Sequence, residues 1–582
     1  MGKKRAGRRD TAPRAAPPVR KPARWKWLLF AGGAFLLTLW VYWPAVNGPF
    51  LFDDFYLPFF AADFAGTPLH ASLTGVRPLL MLTFWVNYEI SGHTPFSYHL
   101  ANVLFHFVNG CLVFLFVRTV LGWRLNDEPR RTILALFAAG LFLLHPVQTE
   151  SVAYVASRSE TLSVMFCYAA LVLYTSQRSD SVPWPAALGV LALFAAAAAT
   201  KEHTAALPAV LLLTDFFHGG NFSPRRILNN LRLYVLLAAA AGVALVFIGR
   251  VLAASSSAGF GVKGVTWSDY LFTQFRAIWV YLRLVILPAG QNIDYNFALS
   301  RSILDRGAWL GLLGLIGLLT MAVLMASKHP VAAYGLFVFL IFLAPTSSLI
   351  PIQDALAERR LYLPMAGLVL ATAALLATWR VGQSALVAVL SGILLVCGAL
   401  TYQRNQVWSS AVTLWQDSVR KAPSNSRAHF QLAYAYYQAG LCREAVAEYG
   451  TAAKLDTPDA RLYLNWGLAR DCAGEDVPAL ELLHKAAALQ PTAHVYSQIG
   501  MIHGKRGRRE EARQALERAR QIDPRFAMTY VYLGHLHAEV GEWQAAAREY
   551  RRALLLDPEN ESARKALESA EFELRKAGSP RR

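Results

Sequence analysis

The stretch SRAHFQLAYAYYQAGLCREAVAEYGTAAKLDTPD, Ser426 to Asp459, decides how the C-terminal part of the chain is read. Shifted by 33–34 residues, its pattern returns in 460–492, 493–526 and 527–560. A small residue holds the eighth position of each unit (Ala433, Gly467, Gly500, Gly534), and a glycine follows seven places on (Gly440, Gly474, Gly507, Gly541). Two alanines come next, Ala445 and Ala452 in the first unit, and three units end in Pro491, Pro524 and Pro558. The physical sense is a helix pair: glycine closes the first helix, alanine lets the two pack closely, and proline ends the second. One such unit cannot bury its apolar face alone, so four in a row predict a stacked α-solenoid. Residues 561–577 read as its capping helix, 403–425 as a linker with a further helix, and 578–582 as a disordered tail.

Upstream the character of the chain changes. Of its 582 residues 55% are hydrophobic, and the excess lies before about Ala399, in runs long enough to cross a bilayer as helices. The runs fall at 27–44, 98–121, 132–146, 152–175, 184–200, 203–217, 231–253, 308–327, 331–350, 361–378 and 384–401, which predicts about eleven spans within a membrane domain of 27–402. The stretch 270–288 contains Arg276 and Arg283, costly in mid-bilayer, and reads as interfacial. The formal charge of +18 does not imply nucleic acid: ten Lys/Arg against one acid crowd residues 1–26, a disordered basic tail. By the positive-inside rule that tail is cytoplasmic. The loops carrying Arg118, Arg124, Arg130 and Arg131, then Arg178, then Arg225, Arg226 and Arg232 are inside with it. The repeats and four polar motifs then emerge on the outer face. The five cysteines show neither metal-ligand spacing nor a disulfide framework, and no bridge is assigned to Cys442 and Cys472.

The first motif, GPFLFDDFYLPF, sets Asp53 and Asp54 between Phe52 and Phe55. One aspartate there is an ordinary helix cap. Two, partly desolvated by aromatic rings, suit a general base, and a paired site also suits a divalent cation. Arg77 follows in GVRPLLMLTFWVNYEISGHTPFSYHLANVLFH, suited to gripping a phosphate with its fork. The histidines of that stretch have no credible zinc spacing, and no metal ligand set is assigned. HPVQTESVAYVASRSETLS contributes Glu150, Arg158 and Glu160, TKEHTAALP gives Lys201 and Glu202, and AERRLYLP gives Glu358 and Arg359. Each alone is as well read as a solvated pair. Together they form a rim of acids and bases on one face, suited to a phosphate and a polar head group.

These motifs, in this order and followed by repeats, resemble the transmembrane tetratricopeptide-repeat O-mannosyltransferases of the GT-C superfamily. That resemblance implies an all-α polytopic membrane domain of the GT-C type followed by a tetratricopeptide α-solenoid. It implies transfer of a mannose-like sugar from a polyprenyl-phosphate donor to a protein or glycan hydroxyl outside the membrane, with inversion. Asp53 and Asp54 occupy the place of the superfamily's acidic motif in the first outer loop, with Asp53 the first candidate for general base. Arg77, Arg158, Lys201, Arg276 and Arg359 are the candidates to neutralise the departing phosphate. Glu160, in ASRSE, departs from the GRAD-like pattern of the family. Gln431, Asn465 and Gln498 hold the sixth position of successive units, which in such repeats lines the concave face, where an acceptor or partner protein docks. A basic, Ala/Arg-rich sequence suggests a bacterial inner-membrane protein. The competing reading is a non-catalytic, membrane-anchored repeat scaffold.

Overall fold

The computed structural model describes residues 24–578, except 61–63, 65, 67, 74, 75, 178, 219–221, 255 and 256. The tail up to position 23, Arg178 and the residues after Gly578 lie outside these. Among the described residues the protein is all-α, with one isolated β-bridge between Ala258 and Ile352.

Among the described residues five helices are long and apolar enough to cross a membrane: Trp27–Val46, Pro95–Leu121, Leu231–Arg250, Asp305–Ala326 and Gln383–Val407. Glu128–Leu144 and Pro146–Ala153 qualify as a sixth only as a pair bent by 49°. This differs from the expected eleven. The apolar runs at 184–200, 331–350 and 361–378 yield Trp184–Ala198, Pro330–Leu343 and Met365–Leu376, of 15, 14 and 12 residues. At 1.5 Å per residue none reaches the ~30 Å of a bilayer core. Hydropathy counts the turn buried beyond such a helix as though it were helix. Many large apolar side chains on the long helices, such as Leu36, Leu313, Leu324 and Leu395, remain exposed, as lipid-facing residues do.

The interior is dominated by one large cluster to which most helices from Arg24–Val46 through Gln383–Val407 contribute, while Pro78–Ser91 and Trp267–Ile286 pack mainly in two smaller ones. Helices Pro330–Leu343 and Met365–Leu376 cross at Gly335 and Gly367. A Cβ on Gly367 would lie 2.5 Å from the Gly335 carbonyl oxygen, so only glycine permits that approach.

The two ends of the bundle differ. At one, Arg118 and Arg131 pair with Glu128, and Arg226 pairs with Asp215 at 2.9 Å. At the other, the long helices are joined by one-turn helical segments: Phe52–Tyr56, Pro146–Gln148, Val155–Ser157, Glu202–Ala206 and Glu358–Leu361. These short turns carry the charged motifs.

Four helix pairs follow the linker helix Ala411–Lys421, beginning with Ser426–Gln438 and Cys442–Leu455 and ending with Ala527–Ala538 and Trp543–Leu556; helix Glu561–Gly578 packs on the last. The four glycines between paired helices have φ of +69° to +79°, the left-handed region that ends a helix at low cost only for glycine. Contrary to the reading of the cysteines, Cys442 and Cys472 form a disulfide, with Cα atoms 5.7 Å apart. Their separation of 30 residues is close to one repeat. Stacking therefore brings the start of one second helix beside the end of the next first helix.

Candidate functional site

The opening acids have unequal surroundings. Phe52, just before them, has φ 51°, a strained conformation for a bulky residue, and it turns the chain so that the two aspartates face apart. Asp54 is fully buried. Its Oδ2 accepts the Leu51 N–H at 2.9 Å and its Oδ1 accepts the Ala156 N–H at 2.7 Å. The side chain therefore clasps the first loop to the 145–160 segment. Burial pushes its pKa up to about 7, against the pull of those two amides. A base poised near neutrality is chemically attractive, but geometry takes precedence, and both oxygens are already engaged. Asp53 is exposed. Its N–H donates to the Tyr154 hydroxyl at 2.8 Å, which fixes the backbone and leaves the carboxylate facing outward. Lost hydration around that carboxyl holds its pKa above the usual range, opposed by Tyr154, Arg359 and Arg427. The two acids do not converge on one point, and among the described residues no group of three or more His, Cys, Asp or Glu gathers as a metal site. Because both Asp54 oxygens are taken by backbone N–H groups, Asp53 and Asp54 do not fit as a shared pair for a divalent cation.

Arg359 lies beside them. Its N–H donates to Glu150 Oε2 at 3.0 Å, its Nη1 to Glu150 Oε1 at 2.5 Å, and its Nη2 to Asp354 Oδ2 at 3.3 Å. Glu150 is buried, and these carboxylates hold the guanidinium firmly in its charged form. Arg77 meets Glu202 through a fork, with contacts of 2.9–3.1 Å. Lys201 pairs with Glu160, which also faces His203 Nε2 at 3.3 Å. Arg359 is near enough that its charge bears on both Lys201 and Glu160, and Arg77 bears on Lys201. Asp53, Arg359, Lys201 and Arg77 thus share one end of the bundle, where each of the three cations is paired with a carboxylate.

Three expected site residues stand elsewhere. Arg158 is fully buried; it donates to Asn102 Oδ1 at 3.0 Å, the Thr83 carbonyl at 3.2 Å and the Tyr98 carbonyl at 2.9 Å, with the Phe84 ring 4.5 Å away. It ties helices together and offers no free donor face. Arg276 donates to the Ala298 carbonyl and Ser300 Oγ at 2.9 and 3.1 Å, and the charges that bear on it are Arg306 and Asp305, not those of the rim. Glu358 is buried and accepts from Gln291 Nε2, the Asn292 N–H and the Tyr295 hydroxyl, so it shapes the 291–295 loop. Burial raises its pKa.

On the repeats, Gln431 is half-buried, Asn465 donates to the Arg461 carbonyl of its own helix at 2.8 Å, and Gln498 lies 3.5 Å from the Tyr532 hydroxyl. Two of the three proposed groove amides are therefore already partnered. Tyr154, Asp294, Asp354 and Arg427 were not singled out from the sequence. The polar run QNIDYN, directly after an amphipathic arginine-bearing stretch, was the available signal for Asp294.

Tetratricopeptide repeat family models match residues 493–526 and 527–560. The human protein O-mannosyl-transferase TMTC3 is 26% identical over 596 residues, covering 89% of this chain and 63% of that protein. A span of that size reaches into both the membrane helices and the repeats. The chain is similar in sequence to the TMTC protein O-mannosyl-transferases. The Caenorhabditis elegans protein O-mannosyl-transferase F38B6.6 is 27% identical over 422 residues, 71% of this chain and 58% of that protein. Over a shorter stretch of 154 residues the Drosophila melanogaster protein O-mannosyl-transferase Tmtc1 reaches 39%, covering 26% of this chain and 16% of that one. The chain spans about three-fifths of the length of the first two.

Proposed function

We propose that this protein is an integral-membrane glycosyltransferase. It moves a mannose-like sugar from a polyprenyl-phosphate donor to a hydroxyl of a protein or glycan on the outer face of the membrane. The observation that carries the reading is Asp53: an exposed carboxylate, fixed through its backbone and set within reach of the Arg359 charge. In the step we envisage, Asp53 takes the proton of the acceptor hydroxyl. That oxygen forms the new bond to the anomeric carbon, and the carbon–oxygen bond to phosphate breaks on the opposite side, with inversion. The phosphate leaves with the electron pair, and Arg359, Lys201 and Arg77 offset its charge, the kind of stabilisation that often dominates catalysis. Asp54, Glu150 and Arg158 hold the loops that carry these groups.

Residues 27–402 form the transferase unit in this reading, 426–560 present the acceptor or a partner protein, and 561–577 cap them. The tail faces the cytoplasm, and rim and repeats face the far side, which in a bacterial cell is the periplasm. The test is transfer of labelled mannose from polyprenyl-phosphate mannose to Ser/Thr peptides by the purified chain in lipid nanodiscs. Labelled product supports the reading. Its absence, with peptide still bound by the repeats, favours the scaffold.

A further inference from the structure

The first repeat reaches into the rim. Arg427 is the second residue of helix Ser426–Gln438, whose first turn is fixed by Asn425, the side chain of which accepts the N–H groups of Arg427 and Ala428. The Arg427 fork grips Asp294, with Nε and Nη2 each 2.6 Å from a carboxylate oxygen. Its Nη2 also lies 2.8 Å from Asp354 Oδ1. The other Asp354 oxygen faces Arg359, which in turn holds Glu150. A continuous row therefore runs Glu150, Arg359, Asp354, Arg427, Asp294, alternating in sign from the membrane domain into the solenoid.

Other contacts also hold the linker and solenoid on the membrane domain. Lys421 donates to the Gln291 carbonyl at 2.6 Å and Asn296 Nδ2 to Ser424 Oγ at 3.3 Å. Arg404, on the last membrane helix, meets Asp417 of the linker helix at 2.6 Å. What Arg427 adds is specific: it supplies the second cation for Asp354. Without it, Arg359 is the one ion pair left to Asp354, with the Arg360 charge nearby, and Arg359 is then drawn towards Asp354 and away from an incoming phosphate. Asp53, faced by Asp54, Tyr154, Asp354, Arg359 and Arg427, loses a cation as well.

We infer that Arg427 is a positioning residue for the transfer reaction: the first repeat completes the active-site rim by sharing Asp354 with Arg359, so the repeats take part in the chemistry as well as in acceptor binding. The inference rests on the glycosyltransferase reading for its kinetics, but not for its structural arm. The experiment compares full-length Arg427→Gln, Arg427→Lys and, as control, Arg551→Gln, which breaks only the exposed pair with Glu571. Hydrogen exchange is followed at 350–360 and at the linker helix Ala411–Lys421. Transfer is followed with a free serine amide, too small to span from rim to groove. Arg427→Gln should speed exchange at 350–360 while the linker helix stays protected. It should lower kcat/KM about 10- to 100-fold with the small acceptor, the size of loss that misplaced catalytic groups produce. It should also move the acidic limb of the pH profile upward, because a cation favouring ionised Asp53 is gone. Arg427→Lys should recover part of the rate. Unchanged exchange at 350–360 overturns the inference whether or not the wild-type chain transfers sugar. A defect confined to long acceptors, with normal turnover of the small one, overturns it in favour of docking alone.

Discussion

Replacing Arg158 by lysine separates a structural arginine from a phosphate ligand. The wild-type guanidinium joins three helices, Pro78–Ser91, Pro95–Leu121 and Arg158–Thr175, through the Thr83 and Tyr98 carbonyls and Asn102 Oδ1. A lysine ammonium in the same space keeps the charge but loses the fork, and it reaches one of those acceptors. Two hydrogen bonds from a charged donor, at about 1.5–3 kcal/mol each, give a gross loss of about 3–6 kcal/mol. Local relaxation trims this towards about 3 kcal/mol, still a large share of an ordinary folding free energy of 5–15 kcal/mol. The expected result in nanodiscs is a clearly lowered unfolding midpoint. Donor KM in the surviving folded protein should stay within about twofold of wild type, since no binding contact has gone. An unaltered midpoint together with a raised donor KM would refute the reasoning and return Arg158 to the phosphate site.

Other consequences are as direct. Asp53 must be ionised to accept a proton, and its pKa is held above the usual carboxylate range, so kcat/KM should rise with pH along a limb lying above about pH 4; a limb at or below that value contradicts the account. Alkylation of the unfolded, unreduced chain should label Cys111, Cys167 and Cys397, with Cys442 and Cys472 added only after reduction. Five labels before reduction would exclude the bridge. Gly367→Ala places a Cβ 2.5 Å from both the Gly335 carbonyl oxygen and the Phe339 nitrogen, both backbone atoms, so the helices must part. A loss of about 1–3 kcal/mol should appear as a lower unfolding midpoint, and an unchanged midpoint would show that the crossing is looser than described.

The solenoid was legible because its signals are local and repeated: a glycine that must turn left-handed, and small residues where helices touch. The membrane part was legible as a class but not as a span count. The run 361–378 is continuous in hydropathy, yet its helix covers only Met365–Leu376 and its first residue belongs to the one-turn segment Glu358–Leu361, which hydropathy cannot distinguish. Charge content identified the rim motifs without ranking their members. Asp53 and Asp54 are equivalent as letters, and only the positions of Leu51, Ala156 and Tyr154 tell the clasp from the exposed carboxylate. Arg158 looked like a phosphate ligand because the carbonyls that consume its donors come from residues 60 and 75 positions away. Arg427 was hidden by its setting, a repeat position read for its helix rather than for what the helix end touches.

The most direct test of the account is turnover of Asp53→Asn, in a chain shown by its unfolding midpoint to be folded as wild type. The account predicts a fall of about 10²- to 10⁴-fold in transfer from polyprenyl-phosphate mannose, the loss expected for a general base. Wild-type turnover in that variant would contradict it.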